Sequence, residues 1–96
     1  MALDRLIQER RADILAVAAL HGARRVRVFG SRARGQGSGA SDLDLLVDLA
    51  PERTLLDLIA IKQDLEDRLA CRVDVLTEAG LSPHLRQQVL AEAVAL

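Results

Sequence analysis

The sequence predicts an α/β fold: a small mixed sheet of three strands, or four, packed with helices. Three observations carry this expectation. Residues 25–29, 42–49 and 72–77 alternate in character at the period of a strand. The stretches before, between and after them repeat apolar residues at helical spacing. Half of the 96 residues are apolar and the net charge is −1, which allows one aliphatic core and argues against disorder. The expected order is α-β-α-β-α-β-α, in a single domain over residues 1–96.

Each element has its own local justification. From about residue 3 to 20, Leu3, Leu6, Ile7, Ile14, Leu15, Val17 and Ala18 form an apolar stripe, and Gly22 supplies a stop. Arg25-Val26-Arg27-Val28-Phe29 reads as a short strand that runs straight into Gly30-Ser31, with one helical turn expected over Ser31–Arg34. Gly35 to Ser41 is a small-residue loop. In the next strand Leu43, Leu45, Val47 and Leu49 point one way, and Asp42, Asp44, Leu46 and Asp48 the other, until Pro51 breaks it. Thr54-Leu55-Leu56-Asp57 resembles a capping box, opening a helix to about Ala70 with Leu55, Leu58, Ile59, Leu65 and Leu69 inward. Residues 72–77 form the third strand. Ser82 and Pro83 suit the start of a last helix carrying Leu85, Val89, Leu90 and Val94.

The chemistry concentrates in three places. Asp42 and Asp44 are two apart on a strand, so their carboxylates leave the same face and repel unless a cation or a proton intervenes. Hard oxygen donors of this kind favour Mg²⁺ or Mn²⁺. Asp74 faces away from Val73 and Val75, and joins the same acidic face if its strand neighbours that of Asp42. Three such carboxylates can hold two divalent ions about 4 Å apart, the arrangement used for in-line displacement at phosphorus. Ahead of them, Gly30 lets backbone approach a phosphate, and Ser31 adds a hydroxyl donor. Arg32 and Arg34 follow, within bidentate reach of phosphate oxygens.

A lone Gly-Ser or Asp-x-Asp means little; the ordered set on three strands means more. A calcium loop is disfavoured, because no spaced acidic stretch ends in Glu. The motifs from Gly30 to Gly35, Ser41 to Val47 and Val73 to Thr77 resemble the minimal nucleotidyltransferases of the DNA polymerase β superfamily. The likeness to the small MntA-type antitoxins of HEPN/MNT toxin–antitoxin modules extends over nearly the whole chain. The resemblance implies a minimal nucleotidyltransferase fold. It implies that Asp42 and Asp44 bind both of two Mg²⁺ ions, and that Asp74 binds the catalytic one and assists deprotonation of the acceptor hydroxyl. Gly30 and Ser31 would hold the triphosphate of ATP, with Arg32 and Arg34 the less fixed part of that assignment. The implied reaction moves AMP to a tyrosine of a HEPN-family ribonuclease toxin, which makes this chain the antitoxin.

Composition limits the alternatives. Phe29 is the only aromatic residue, which counts against base-stacking nucleic-acid modules. Thirteen basic and fourteen acidic residues leave no overall basic field for a nucleic acid. Arg24, Arg25, Arg27, Arg32 and Arg34 cluster just before the acidic strand, suiting a polyanion or, more plainly, a solvated surface of alternating charge. Cys71 stands alone, so neither an internal disulfide nor a cysteine metal site is expected, and it reads as a small part-buried residue. No apolar stretch approaches the ~18 residues of a membrane span and the N-terminus is not signal-like, so a cytoplasmic protein is expected. His21 and His84 read as a helix-end cation and a surface residue, Asp48 as a solvated edge, and Glu66 and Asp67 as charged helix surface.

With no length left for an acceptor-binding domain, the acceptor is expected on another macromolecule at an open site. A homodimer could instead build a pocket for a small molecule. The remaining alternative is a module that neutralises its partner by covering it, without catalysis.

Overall fold

The computed structural model describes residues 4–37 and 41–96. Leu3 and the loop residues Ser38, Gly39 and Ala40 lie outside the described residues. Helix α1 (Arg5–Leu20) is followed by strands β1 (Ala23–Phe29) and β2 (Leu43–Leu49), helix α2 (Leu55–Leu69) and strand β3 (Val73–Leu76). A single 3₁₀ turn at Glu78–Gly80, helix α3 (Pro83–Glu92) and strand β4 (Val94–Ala95) complete the order. The sheet is mixed and four-stranded, in the order β3-β2-β1-β4. β1 runs antiparallel to β2 and β4, whereas β2 and β3 are parallel. The parallel pair requires a crossover, and α2 supplies it.

The alternation of β2 builds the core on one face. Leu43, Leu45 and Val47 are fully buried with Val26, Val28 and Val73, against Ile7, Ile14 and Val17 of α1 and Ile61, Leu65 and Leu69 of α2. The opposite face carries Asp44 and Asp48 on β2, Arg27 on β1 and Asp74 on β3. Leu46 shares that face yet has no exposed surface.

Three local expectations are corrected, and others are met. The helical turn expected over Ser31–Arg34 forms, with the Ala33 and Arg34 amides both donating to the Gly30 carbonyl at 3.1 and 3.3 Å. It has no length to propagate, because Gly35 takes φ +72° at its end. In α2 the buried stripe runs through Ile61, Leu65 and Leu69, with Leu58 part-buried, while Leu55 and Ile59 are exposed. Ile59 lies about 100° round the helix from Leu58 and falls off the stripe. Val94 leaves the last helix and pairs with Val28 instead. A β-branched residue meets an unpaired strand edge there. Ser82 makes no side-chain cap bond, although Pro83 does open α3. The Thr54–Asp57 capping box forms as expected.

Asp4 and Arg32 lock the N-terminal helix to the turn after β1. Asp4 caps α1 by accepting from the Leu6 amide at 2.7 Å, and its own amide donates to the Arg32 carbonyl at 3.0 Å. The Arg32 guanidinium donates to Asp4 Oδ1 at 3.1 Å and, through Nε and Nη2, to the Ser41 carbonyl at 3.1 and 2.8 Å. The Arg32 side chain is 3% exposed and that of Asp4 10%. A buried charge of this kind is costly to orphan. Arg32→Ala should therefore lower the unfolding free energy by about 3 kcal/mol in urea denaturation, whereas Arg34→Ala should change it by under about 0.5 kcal/mol.

Candidate active site

Strand register brings the predicted acids together. Leu43 pairs with Val73, Asp44 with Asp74 and Leu45 with Val75 across the parallel β2–β3 ladder. The ladder begins where the Leu43 amide donates to the Arg72 carbonyl at 2.8 Å, leaving Asp42 one residue ahead of the strand. Glu66, expected as mere helix surface, fixes the same end of this register from the α2 side. Its carboxylate accepts from the Val73 amide at 3.0 Å and from Lys62 at 2.7 Å. The Lys62 bond and then the Val73 amide hold the Glu66 carboxyl below its ordinary range.

Asp44 is the most perturbed group of the site. Partial burial, then the charges of Asp74 and Asp42, a hydrogen-bond contact with Asp74 and the charge of Glu92 push its carboxyl from 3.8 up to about 6. On the other side Gly30 adopts φ +79°, and a Cβ there would overlap Asp44 Oδ2. Only glycine meets both demands. Phe29, the last residue of β1, is the register partner of Asp44, so Gly30 and Ser31 open their turn directly beside the acids.

Placement of the basic residues is uneven. Arg34 reaches this corner, where Nη1 donates to both carboxylate oxygens of Glu92 at 3.2 and 3.3 Å. The guanidinium of Arg32 is directed to Asp4 and Ser41, so its donors serve the scaffold around Asp42 and not an open surface. Arg27 lies on the acid face, buried, donating to Asp48 at 3.5 Å and Glu78 at 3.3 Å, with Nε lacking a partner among the described residues. His21 faces Asp64 at 3.7 Å and His84 is exposed, both remote from this cluster in their contacts. Burial raises the Cys71 thiol above its ordinary value. Glu92 and Asp4 were the residues missed: Asp4 stands where an N-cap should, before an amphipathic run, whereas nothing local marks Glu92.

Among the described residues no three acidic, histidine or cysteine side chains enclose a metal ion by themselves, and no cavity is enclosed. The donor set still fits a hard divalent cation. Asp44 and Asp74 are crowded carboxylates in contact, with Asp42 contributing charge, and such crowding is relieved by a cation. Mg²⁺ takes one or two carboxylates and completes its shell with phosphate oxygens and water, so an open acidic face suits it. Gly30 and Ser31 open their turn beside that face.

Comparison with known proteins settles the class. The family model described as nucleotidyltransferase domain matches residues 14–96. The chain belongs to the nucleotidyltransferase family. A relative from Methanocaldococcus jannaschii, provisionally named a protein adenylyltransferase, is 40% identical over 92% of this chain and 95% of its own. The protein adenylyltransferase MntA of Thermococcus cleftensis is 38% identical over 76% of this chain and 74% of its own. A solved structure provisionally described as a minimal nucleotidyltransferase shares 52% identity and a TM-score of 0.84, covering 98% of this chain and 97% of that one.

More distant structures share the fold. A toxin–antitoxin crystal structure with AMP-PNP matches at TM-score 0.75 and 23% identity, over 88% of this chain and 69% of that one. A Shewanella oneidensis complex of a tri-AMPylated HEPN toxin with its MNT antitoxin matches at 0.70 and 21%, over 92% and 69%. This nucleotidyltransferase has the minimal fold of its family, and no helix among its described residues is long and apolar enough to cross a membrane.

The raised Asp44 carboxyl gives a pH dependence with a definite sign. Between pH 3.8 and about 6 the native state binds the Asp44 proton more tightly than the unfolded chain. Its contribution to stability is complete below pH 3.8 and is lost as pH rises through 6. Thermal melts followed by circular dichroism in chelator should show this decline for the parent protein and a flatter profile for Asp44→Asn, with Mg²⁺ restoring stability to the parent above pH 6.

Proposed function

We propose that this nucleotidyltransferase moves AMP from ATP to a hydroxyl of a partner protein, a tyrosine of a HEPN-type ribonuclease toxin, and so acts as its antitoxin. The observation that supports it best is the in-register Asp44–Asp74 pair beside the Gly30–Ser31 turn. That is one cation-attracting face adjoining one phosphate cradle. The names of the two archaeal relatives and the toxin–antitoxin setting of the distant structures support the partner class.

The chain's own groups divide the work. Gly30 and Ser31 hold the triphosphate tail, with Arg34 at its edge. Asp42 and Asp44 would each ligate two Mg²⁺ ions, or Mn²⁺, and Asp74 one of them. When bound, the ions neutralise the triphosphate and stabilise the attacking and leaving oxygens. The acceptor oxygen bonds to the α-phosphorus, the bond from that phosphorus to the bridging oxygen breaks, and pyrophosphate leaves. Asp74, the exposed member of the pair, would accept the hydroxyl proton. The enzyme has no tyrosine of its own, so a tyrosine acceptor is on another chain.

A second mode, neutralisation by covering the toxin without chemistry, is favoured by exposed apolar residues on α2, where Leu55 is 69% and Leu56 75% exposed. Exposed leucines of this kind suit a protein contact. The two modes separate in one experiment. Purified HEPN partner, ATP and Mg²⁺ should yield a partner heavier by AMP units in intact-mass spectrometry, with no gain for Asp42→Asn or in chelator. A folded partner that binds the protein yet gains no mass would leave only the covering mode.

A further inference from the structure

The phosphate cradle is not vacant in the protein by itself. Glu92, the last residue of α3, reaches it across the fold. Its Oε1 accepts from the Gly30 amide at 3.2 Å and from Arg34 Nη1 at 3.2 Å, and its Oε2 also accepts from Arg34. A backbone amide and a guanidinium converging on oxygen are the donors a phosphate uses. The carboxylate is therefore bound as a phosphate would be.

We propose that Glu92 is a built-in competitor for the nucleotide, seated in the Gly30–Arg34 cradle until a triphosphate displaces it. This rests on assigning the nucleotide tail to Gly30 and Ser31. The seat is delivered and held by the chain around it. β4 pairs with β1 at Val28 and Arg27, and the Leu96 amide donates to the Val26 carbonyl at 2.9 Å, so Glu92 is anchored just ahead of a fixed strand. It is held there against the acids, since its charge is among those that push Asp44 upward.

Little opposes its departure. Val89 is the one buried residue of α3, and the Arg34 side chain that clamps Glu92 is 43% exposed. A triphosphate brings more negative charge than a carboxylate to the same donors, and its metal ions would neutralise the acids that Glu92 only repels.

Titration calorimetry of the full chain with AMP-PNP and Mg²⁺ tests this. Glu92→Ala should bind about 3- to 10-fold more tightly than the parent, as expected when the closed state holds most of the population. Glu92→Gln should lie between them, because its amide oxygen can still accept from Gly30. In ¹⁵N spectra the Gly30 amide should shift on adding AMP-PNP and Mg²⁺ to the parent, and shift in Glu92→Ala without nucleotide. Equal or weaker binding by folded Glu92→Ala would overturn the competitor role while leaving AMP transfer standing. If neither protein binds the triphosphate, the nucleotide assignment falls and the competitor with it. Tighter binding without transfer to the partner would support the competitor and sink only the transfer chemistry.

Discussion

Everything at this site depends on the parallel pairing of β2 with β3. That ladder sets Asp44 directly beside Asp74, and their adjacency is a backbone property that no change of rotamer undoes. The register is in turn defended from behind. Leu43, Leu45 and Val73 face the core on the same two strands, so a one-residue slip would bring carboxylates into an aliphatic interior. The core thus stabilises an electrostatic arrangement that would not hold together alone.

The supporting contacts sit one step away from the chemistry and are mostly charged. Glu66 ties the first amide of β3 to α2, and Arg32 ties the carbonyl of Ser41, just before Asp42, to the cap of α1. Each links a helix on the core face to a residue adjoining an acid on the other face. Two helices therefore set the position of the acidic strands through single side chains as well as through packing.

Much of this was legible in the sequence. Period-two alternation located the three principal strands, and it placed Asp44 and Asp74 on the face opposite Leu45 and Val75. The capping box at Thr54 and Pro83 at a helix start follow from local chemistry alone, and both formed. Where the sequence misled, a distant partner decided the outcome. Arg32 looks like a phosphate ligand from its place after Gly30-Ser31, but Asp4 and the Ser41 carbonyl claim its donors. Val94 continues a helical apolar pattern, yet the free edge of β1 draws it into a strand. Glu92 carries no local signal at all, because its role exists only once residues 62 positions apart are neighbours.

The sheet order has a consequence for how the protein comes into being. β1 lies between β2 and β4, the earliest strand flanked by a later one and by the last. Asp42 and Asp44 are synthesised some thirty residues ahead of their partner on β3, and the strand that seats α3 follows both. Pairings of such long range close slowly compared with helix formation. A growing chain therefore holds two of its three acids with nothing to align them, and the acidic face is complete only once β3 has paired with β2.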